Sequence, residues 1–422
     1  MKNAAKRIVF ATIGSLGDLH PCLALALELR ERGHDVAIAG TEIYRSKVEG
    51  LGFSFQAIRP EIPARDPAMM SVLMDMRLGP EFLLRQLILP ALADTYSDLL
   101  EICGGADLLI AGEIVFAAPL VAEKLRIPWV SALLSPFSFL SACDPSVSPL
   151  APSLTWLPGA GPTINRAFLT FGRLATQHWW KPVRNLRREQ GLSEGRNPLF
   201  HDKFSTHLTL AMFSEEIARP QPDWPPNTVQ PGYVYYDSGE RQAGLTEELS
   251  AFLDRRPAPI VFTLGSSAVH DPRGFFEESA RAARILGERA VLLMGDNLPL
   301  VADSDEIIAL PYAPFSELFP RAAVIVHQGG SGTTAQALRA GRPALIMPCG
   351  FDQPDNAARV ERLGAGVTVA RHRYSAHTAA TGLEILLKDP EFAANAEKIG
   401  RRLRSENGLE KACDAIDRLL AS

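Results

Sequence analysis

Short apolar runs alternate with amphipathic stretches along the chain in a repeating order. Arg7-Ile8-Val9-Phe10-Ala11-Thr12-Ile13 is a largely apolar, β-branched run that stops at Gly14-Ser15-Leu16-Gly17. Residues 24–32 then carry helical spacing, Gly33 closes them, and 36–39 form a second apolar run. Strand, glycine turn, helix, glycine, strand is the repeating unit of a parallel sheet. The same order returns at Asp107-Leu108-Leu109-Ile110-Ala111, followed by a helix through Leu125 and a strand within 128–134. From Ser135 to about Arg166 proline, serine and aromatics dominate, which predicts loops with little regular structure. Proline and glycine cluster again over 219–239, and the domain boundary is placed just after the densest part, near 232–246.

A second start follows. Pro259-Ile260-Val261-Phe262-Thr263-Leu264-Gly265-Ser266 echoes the first strand and its Gly-Ser turn, and 291–294, 324–326 and 344–347 supply further short strands. The predicted class is α/β, with two doubly wound halves at 1–235 and 236–400 and a final helix in 401–422 that can return to the first half. Such pairs bind ligands in the cleft between them, at the carboxyl ends of their strands.

Composition narrows the function. A length of 422 residues exceeds one ordinary domain, and 46% hydrophobic with 22% charged residues excludes extended disorder. Lysine plus arginine number 43 against 48 acidic residues, a net charge of -5, so the basic excess of a nucleic-acid binder is missing. Five scattered cysteines without a CxxC pair predict a reducing compartment and no zinc site. The chain runs almost at once into a strand, so no signal peptide is expected. Pro128, Pro136, Pro149, Pro152 and Pro158 interrupt the long uncharged stretches, which argues against a spanning helix. The expectation is a soluble cytoplasmic protein, with peripheral membrane contact left open.

The densest chemistry is Val324-Ile325-Val326-His327-Gln328-Gly329-Gly330-Ser331-Gly332-Thr333-Thr334. A buried strand delivers His327, a glycine turn follows, and a helix is predicted from about Thr333. Backbone amides at a helix N-terminus, bared by glycines, form a phosphate site. The hydroxyls of Ser331, Thr333 and Thr334 add donors. A helix cap with packing glycines explains this turn alone equally well. Then comes Phe351-Asp352-Gln353-Pro354-Asp355-Asn356, which sets a carboxylate and an amide beside the turn, groups suited to a sugar's vicinal hydroxyls.

With both segments the sequence resembles the GT-B fold, family 1 nucleotide-sugar glycosyltransferases, in the bacterial rhamnosyltransferase and sterol-glucosyltransferase branch. The resemblance implies two Rossmann-like domains, an acceptor-binding N-terminal one and a donor-binding C-terminal one. It implies that His327, Gly329, Gly330, Ser331, Gly332, Thr333 and Thr334 hold the donor diphosphate, and that Asp352 and Gln353 hold the sugar. Ser266 and Ser267 match the family's Gly-Ser turn facing the phosphates. Tyr312 falls where relatives place a base-stacking tryptophan. Gln336 falls near a ribose-gripping glutamate of UDP-glucose users, so both UDP-glucose and dTDP-rhamnose remain open as donors.

Gly14-Ser15-Leu16-Gly17-Asp18-Leu19-His20-Pro21 is the second informative segment. The family carries Gly-His-x-x-Pro or Gly-Asp-x-x-Pro here, which puts Asp18 in the general-base position. A helix N-cap is the plain alternative for Asp18, and His20 is the competing base. Relatives with a histidine base support it with an aspartate where this chain has Gly112, with Glu113 one residue further on. His34 reads as a helix-closing residue, and His178-Trp179-Trp180, Phe137, Phe139 and Trp156 read either as packing or as an acceptor pocket. The reading is an inverting hexosyltransferase that acts on a hydrophobic hydroxylated acceptor such as a lipid, sterol or polyphenol, with no metal and no resident cofactor. A nucleotide-sugar epimerase and a non-catalytic sugar-nucleotide binder are the alternatives.

Overall fold

The computed structural model describes residues 5–62, 66–149, 157–237, 244–297 and 304–421. Two parallel sheets build it. The first contains β1 (Arg7–Ala11), β2 (Asp35–Gly40), β3 (Ser54–Ala57), β4 (Leu108–Gly112), β5 (Trp129–Leu133), β6 (Leu208–Ala211) and β7 (Thr228–Val229), in the order β3-β2-β1-β4-β5-β6-β7. The second contains β8 (Ile260–Thr263), β9 (Ala290–Leu293), β10 (Ile307–Leu310), β11 (Val324–His327), β12 (Ala344–Ile346) and β13 (Gly366–Thr368), in the order β10-β9-β8-β11-β12-β13. Helices cover both faces, which is why these strands are continuous apolar runs. Val9 and Ala11 of β1 enter one core, and Ile8 and Phe10 enter the other.

Strand order reverses between β1 and β4 in the first sheet and between β8 and β11 in the second. The crevice at such a switch point is where a doubly wound sheet takes its ligand. The first turn of the helix after β1, the turn after β8, the residue after β4 and the end of β11 carry Asp18, Ser266, Glu113 and His327.

Three further contacts join the halves. A short helix of the first half, Pro67–Leu73, sinks Met70 and Leu73 into the core that holds Ile260 and Phe262. The last helix, Gly408–Ala421, lies along the Leu16–Glu31 helix, with Ala412, Cys413 and Ile416 in one core with Leu19 and Leu23. Arg32 bridges to Asp414 and Asp417 at 2.7 and 2.8 Å, and His34 Nε2 lies 2.9 Å from Asp417. The third contact is a buried charge network. Arg359 pairs with Asp355 at 2.7 Å on its own helix and with Asp144 of the first half at 2.6 Å, while the Val147 N–H donates to Asp355 at 3.0 Å.

The chain passes between the halves twice, and the two passages touch. Glu406, on the return, accepts from the Tyr233 N–H at 3.4 Å and from Ser214 Oγ at 2.5 Å. A Cβ on Gly232 would meet the Glu406 carboxylate, and one on Gly408 would meet the Tyr233 carbonyl.

Local structure departs from the sequence reading in three places. The first helix starts at Leu16 rather than residue 24, because a capping box at Ser15 nucleates it and Pro21 is tolerated near its start. The phosphate-turn helix starts at Ser331 rather than Thr333. The stretch 135–166 is less irregular than expected. It holds a 3-10 turn at Pro136–Phe139, and a helix, Pro162–Ala175, begins inside it with proline in its first turn. Trp156 lies outside the described residues. Among the described residues no helix is long and apolar enough to cross a membrane.

Arg359→Leu leaves Asp355 buried without its cation. Chemical denaturation should show a loss of about 3–5 kcal/mol, and Asp355→Leu combined with Arg359→Leu should recover part of it.

Candidate functional site

Gly14 has φ 140°, and a Cβ there would collide with the Asp18 carboxylate, so the glycine makes room for the acid. Ser15 is the N-cap, and its Oγ accepts from the Gly17 N–H at 3.1 Å. Asp18, the third helical residue, closes the box: its Oδ2 accepts from the Ser15 N–H at 2.8 Å and from Ser15 Oγ at 3.2 Å. Asp18 is therefore not itself the cap, but it is fixed by the cap. Oδ1 has no hydrogen-bond partner among the described residues. Burial is the largest influence on this carboxyl and pushes it up to about 6; the Ser15 bonds oppose the rise, and the charges of Asp352 and Glu113 add to it. Three carboxylates thus converge from both halves.

His20 stacks on Tyr236 with ring centres 4.9 Å apart, and its Nε2 has no partner among the described residues. Burial and the nearby Lys47 push it down to about 3. An imidazole that so resists protonation is a poorer proton acceptor than Asp18. Glu113 does not support His20; it accepts from Lys203 Nζ at 2.6 Å and from Ser138 Oγ at 2.5 Å.

Across the cleft, His327 Nδ1 accepts from the Gly329 N–H at 3.0 Å, which places the ring proton on Nε2. That Nε2 has no partner among the described residues, and burial lowers the ring to about 3, so it is a neutral donor held in reserve. Gly329 has φ 88°, and a Cβ there would lie 2.9 Å from Ile346. Gly330 caps the Ser331–Arg339 helix, and no side chain caps the first amides of that helix. Ser331 Oγ donates to Asp352 Oδ2 at 2.7 Å, and burial raises the Asp352 carboxyl.

Two residues change weight here. Gln353 spends its Oε1 on the N–H groups of Cys349 and Gly350, at 2.8 and 3.2 Å, so it shapes the loop behind Asp352 and has only its amide nitrogen left for a sugar. Asn356 was not among the predicted site residues. Its Nδ2 lies 2.9 Å from both the Gly329 carbonyl and Asp352 Oδ2, tying the phosphate turn to the acid beside it. Its signal was its place one helical turn after Asp352.

A cavity of about 290 Å³ lies between the halves. Ser266, Tyr312, Ser331, Gly332, Thr333 and Gln336 line it from the second half, with His20 and Tyr236 opposite. Tyr312 is exposed and Gln336 is half-buried, so both present surface to a ligand. Asp18, Ser267, His327, Gly329, Gly330, Thr334, Asp352 and Gln353 lie outside this wall. A larger concavity of about 590 Å³ on the first half, between Arg126 and His207, holds none of the predicted site residues. Trp180 is buried against Phe116, and Phe139 stacks on Trp224, so both are packing residues.

Residues 8–140 match the model of the glycosyltransferase family 28 N-terminal domain, and residues 282–410 match the erythromycin biosynthesis protein CIII-like C-terminal domain. The chain is 31% identical to the O-mycaminosyltylonolide 6-deoxyallosyltransferase of Streptomyces fradiae, over 97% of each chain. The chain belongs to the family 1 GT-B glycosyltransferases. The glycosyltransferase is also 29% identical to a sterol 3-beta-glucosyltransferase of Yarrowia lipolytica, over 96% of this chain and 28% of that one. In fold it is similar to the calicheamicin glycosyltransferase CalG4, with a TM-score of 0.73 at 18% identity and 99% of each chain covered. It is similar also to the spinosyn rhamnosyltransferase SpnG complexed with thymidine diphosphate, with a TM-score of 0.67 at 20% identity over 99% and 100% of the two chains. The enzyme transfers a sugar from a nucleotide sugar, which leaves the epimerase and non-catalytic readings without support.

In this glycosyltransferase, His327→Ala should weaken the binding of UDP and dTDP by about 10-fold or more, the worth of one hydrogen bond to a charged group. Calorimetry with the free nucleotides measures it; unchanged affinity and turnover together would remove His327 from the diphosphate site.

Proposed function

We propose that the glycosyltransferase inverts the anomeric centre while moving a hexose from a UDP-glucose or dTDP-rhamnose type donor to a hydroxyl of a hydrophobic small molecule. The observation that carries this reading is Asp18: a carboxylate oriented through one oxygen and close enough to Asp352 of the other half to feel its charge. Asp18 Oδ1 takes the acceptor's proton as the acceptor oxygen attacks the anomeric carbon. The nucleoside diphosphate leaves from the opposite face. Its developing charge is met by the first amides of the Ser331–Arg339 helix and by His327 Nε2–H, fixed dipoles that need no reorganisation. The reading gives this task to those donors rather than to a metal ion, and assigns no resident cofactor.

Asp352 is assigned to the sugar, with Ser331 and Asn356 holding its Oδ2. Tyr312 is assigned to the base, and Ser266 to the phosphates. The relatives' names support the acceptor class, since one names a sterol and another O-mycaminosyltylonolide.

Asp18→Asn keeps an oxygen that can accept from the Ser15 N–H, so the cap survives while the base is lost. Turnover should fall ~100-fold or more with donor binding nearly unchanged. In the unsubstituted enzyme kcat/KM should fall as pH drops through about 6, because Asp18 must be ionised to accept a proton. If His20→Ala abolishes turnover and Asp18→Asn does not, the base is misassigned.

Gln336 decides the donor nucleoside in this scheme. A neutral amide grips a ribose diol less well than a carboxylate does, so UDP and dTDP should bind within about tenfold, or ~1.4 kcal/mol, of each other. Gln336→Glu should shift preference towards UDP, as measured by competition between the two nucleotides.

A further inference from the structure

The Pro162–Ala175 helix is mounted with its apolar stripe outward. Ile164, Phe168, Phe171 and Leu174 recur every three or four residues, the spacing of one helical face. They are 52%, 41%, 70% and 60% exposed. The side that meets the body is anchored by a polar residue instead: Asn165 is buried, and its Nδ2 donates to the Ala142 carbonyl at 2.9 Å. An amphipathic helix on a globular protein ordinarily does the reverse. A cluster of large apolar side chains in water marks a docking surface.

Charge identifies the occupant. Between Pro145 and Arg188 the sequence has six lysines and arginines and no aspartate or glutamate, in a chain whose net charge is -5. Arg166 on this helix, and Lys181, Arg184 and Arg188 on the Lys181–Glu189 helix that follows, are exposed, against one exposed acid there, Glu189, while Arg187 is buried on Glu123. A second copy of the chain seated on this helix would bring Arg166 and Arg173 of the two copies together, which is unfavourable. An anionic lipid surface takes both features at once. Its acyl boundary accepts the apolar stripe, and its headgroups accept the arginines and lysines.

We propose that the Pro162–Ala175 helix docks this glycosyltransferase onto an anionic membrane surface, lying in the plane of the interface. The bilayer is not crossed, and the helix holds none of the residues assigned to transfer. Docking and transfer are therefore separately testable.

The test is co-sedimentation of the full chain with POPC–POPG vesicles and with POPC vesicles alone. The chain should sediment with the anionic vesicles and much less with the neutral ones, and added salt should release it. Phe168→Asp combined with Phe171→Asp, both at exposed positions, should lower vesicle binding about 10-fold or more. Lys181→Glu combined with Arg184→Glu should abolish the preference for POPG. Calorimetry with UDP and dTDP should be unchanged in both variants, which shows that they are folded and keeps this result independent of the transfer chemistry. Three outcomes overturn the proposal: no binding to anionic vesicles, binding that the phenylalanine substitutions leave untouched, or a dimer in solution that those substitutions convert to monomer, which would put a second copy of the chain on this face.

Discussion

One helix, Gln353–Arg362, and the acid that precedes it hold two obligations that cannot be met separately. Asp352 and Asn356, one turn apart, close around Ser331 and the Gly329 carbonyl. Asp355 and Arg359, one turn apart on a neighbouring face, close around Asp144 and the Val147 N–H of the other half. Charges this deeply buried are costly unless paired. The geometry of the turn after β11 is thereby referred to the position of the first half, because the helix that follows Asp352 also holds the 144–147 loop.

That coupling matters because the cavity between the halves is lined by residues of both sheets' crevices. In each sheet the reversal of strand order opens a crevice at the strand ends. One cavity is lined from both crevices, by Gly17 and His20 after β1 and by Ser331 and Gly332 after β11. The Asp18 carboxyl senses this convergence directly, since the opposing Asp352 is one of the charges that raise it.

Much of this was legible in the sequence because its grammar is local. Strand, glycine turn and helix sit within about twenty residues of one another, and they placed Asp18, His327 and Ser331 at strand ends. What stayed hidden depends on pairs far apart in the chain. Glu113 invited a partnership with His20 from proximity in sequence, whereas its cation is Lys203, supplied by a distant turn. Gln353 read as a sugar ligand because its amide can serve one, and only the fold shows its oxygen spent on Cys349 and Gly350. The Pro67–Leu73 helix belongs by sequence to one half and by packing to the other. The Pro162–Ala175 helix defeats the pattern rule itself: its periodicity is that of a buried face, and its apolar face points to water.

The paired passages at Tyr233 and Glu406 set the mechanics of the whole molecule. Two loop passages fastened to each other, the Tyr233 N–H on Glu406 and Gly408 against the Tyr233 carbonyl, act as one tie rather than as two independent linkers.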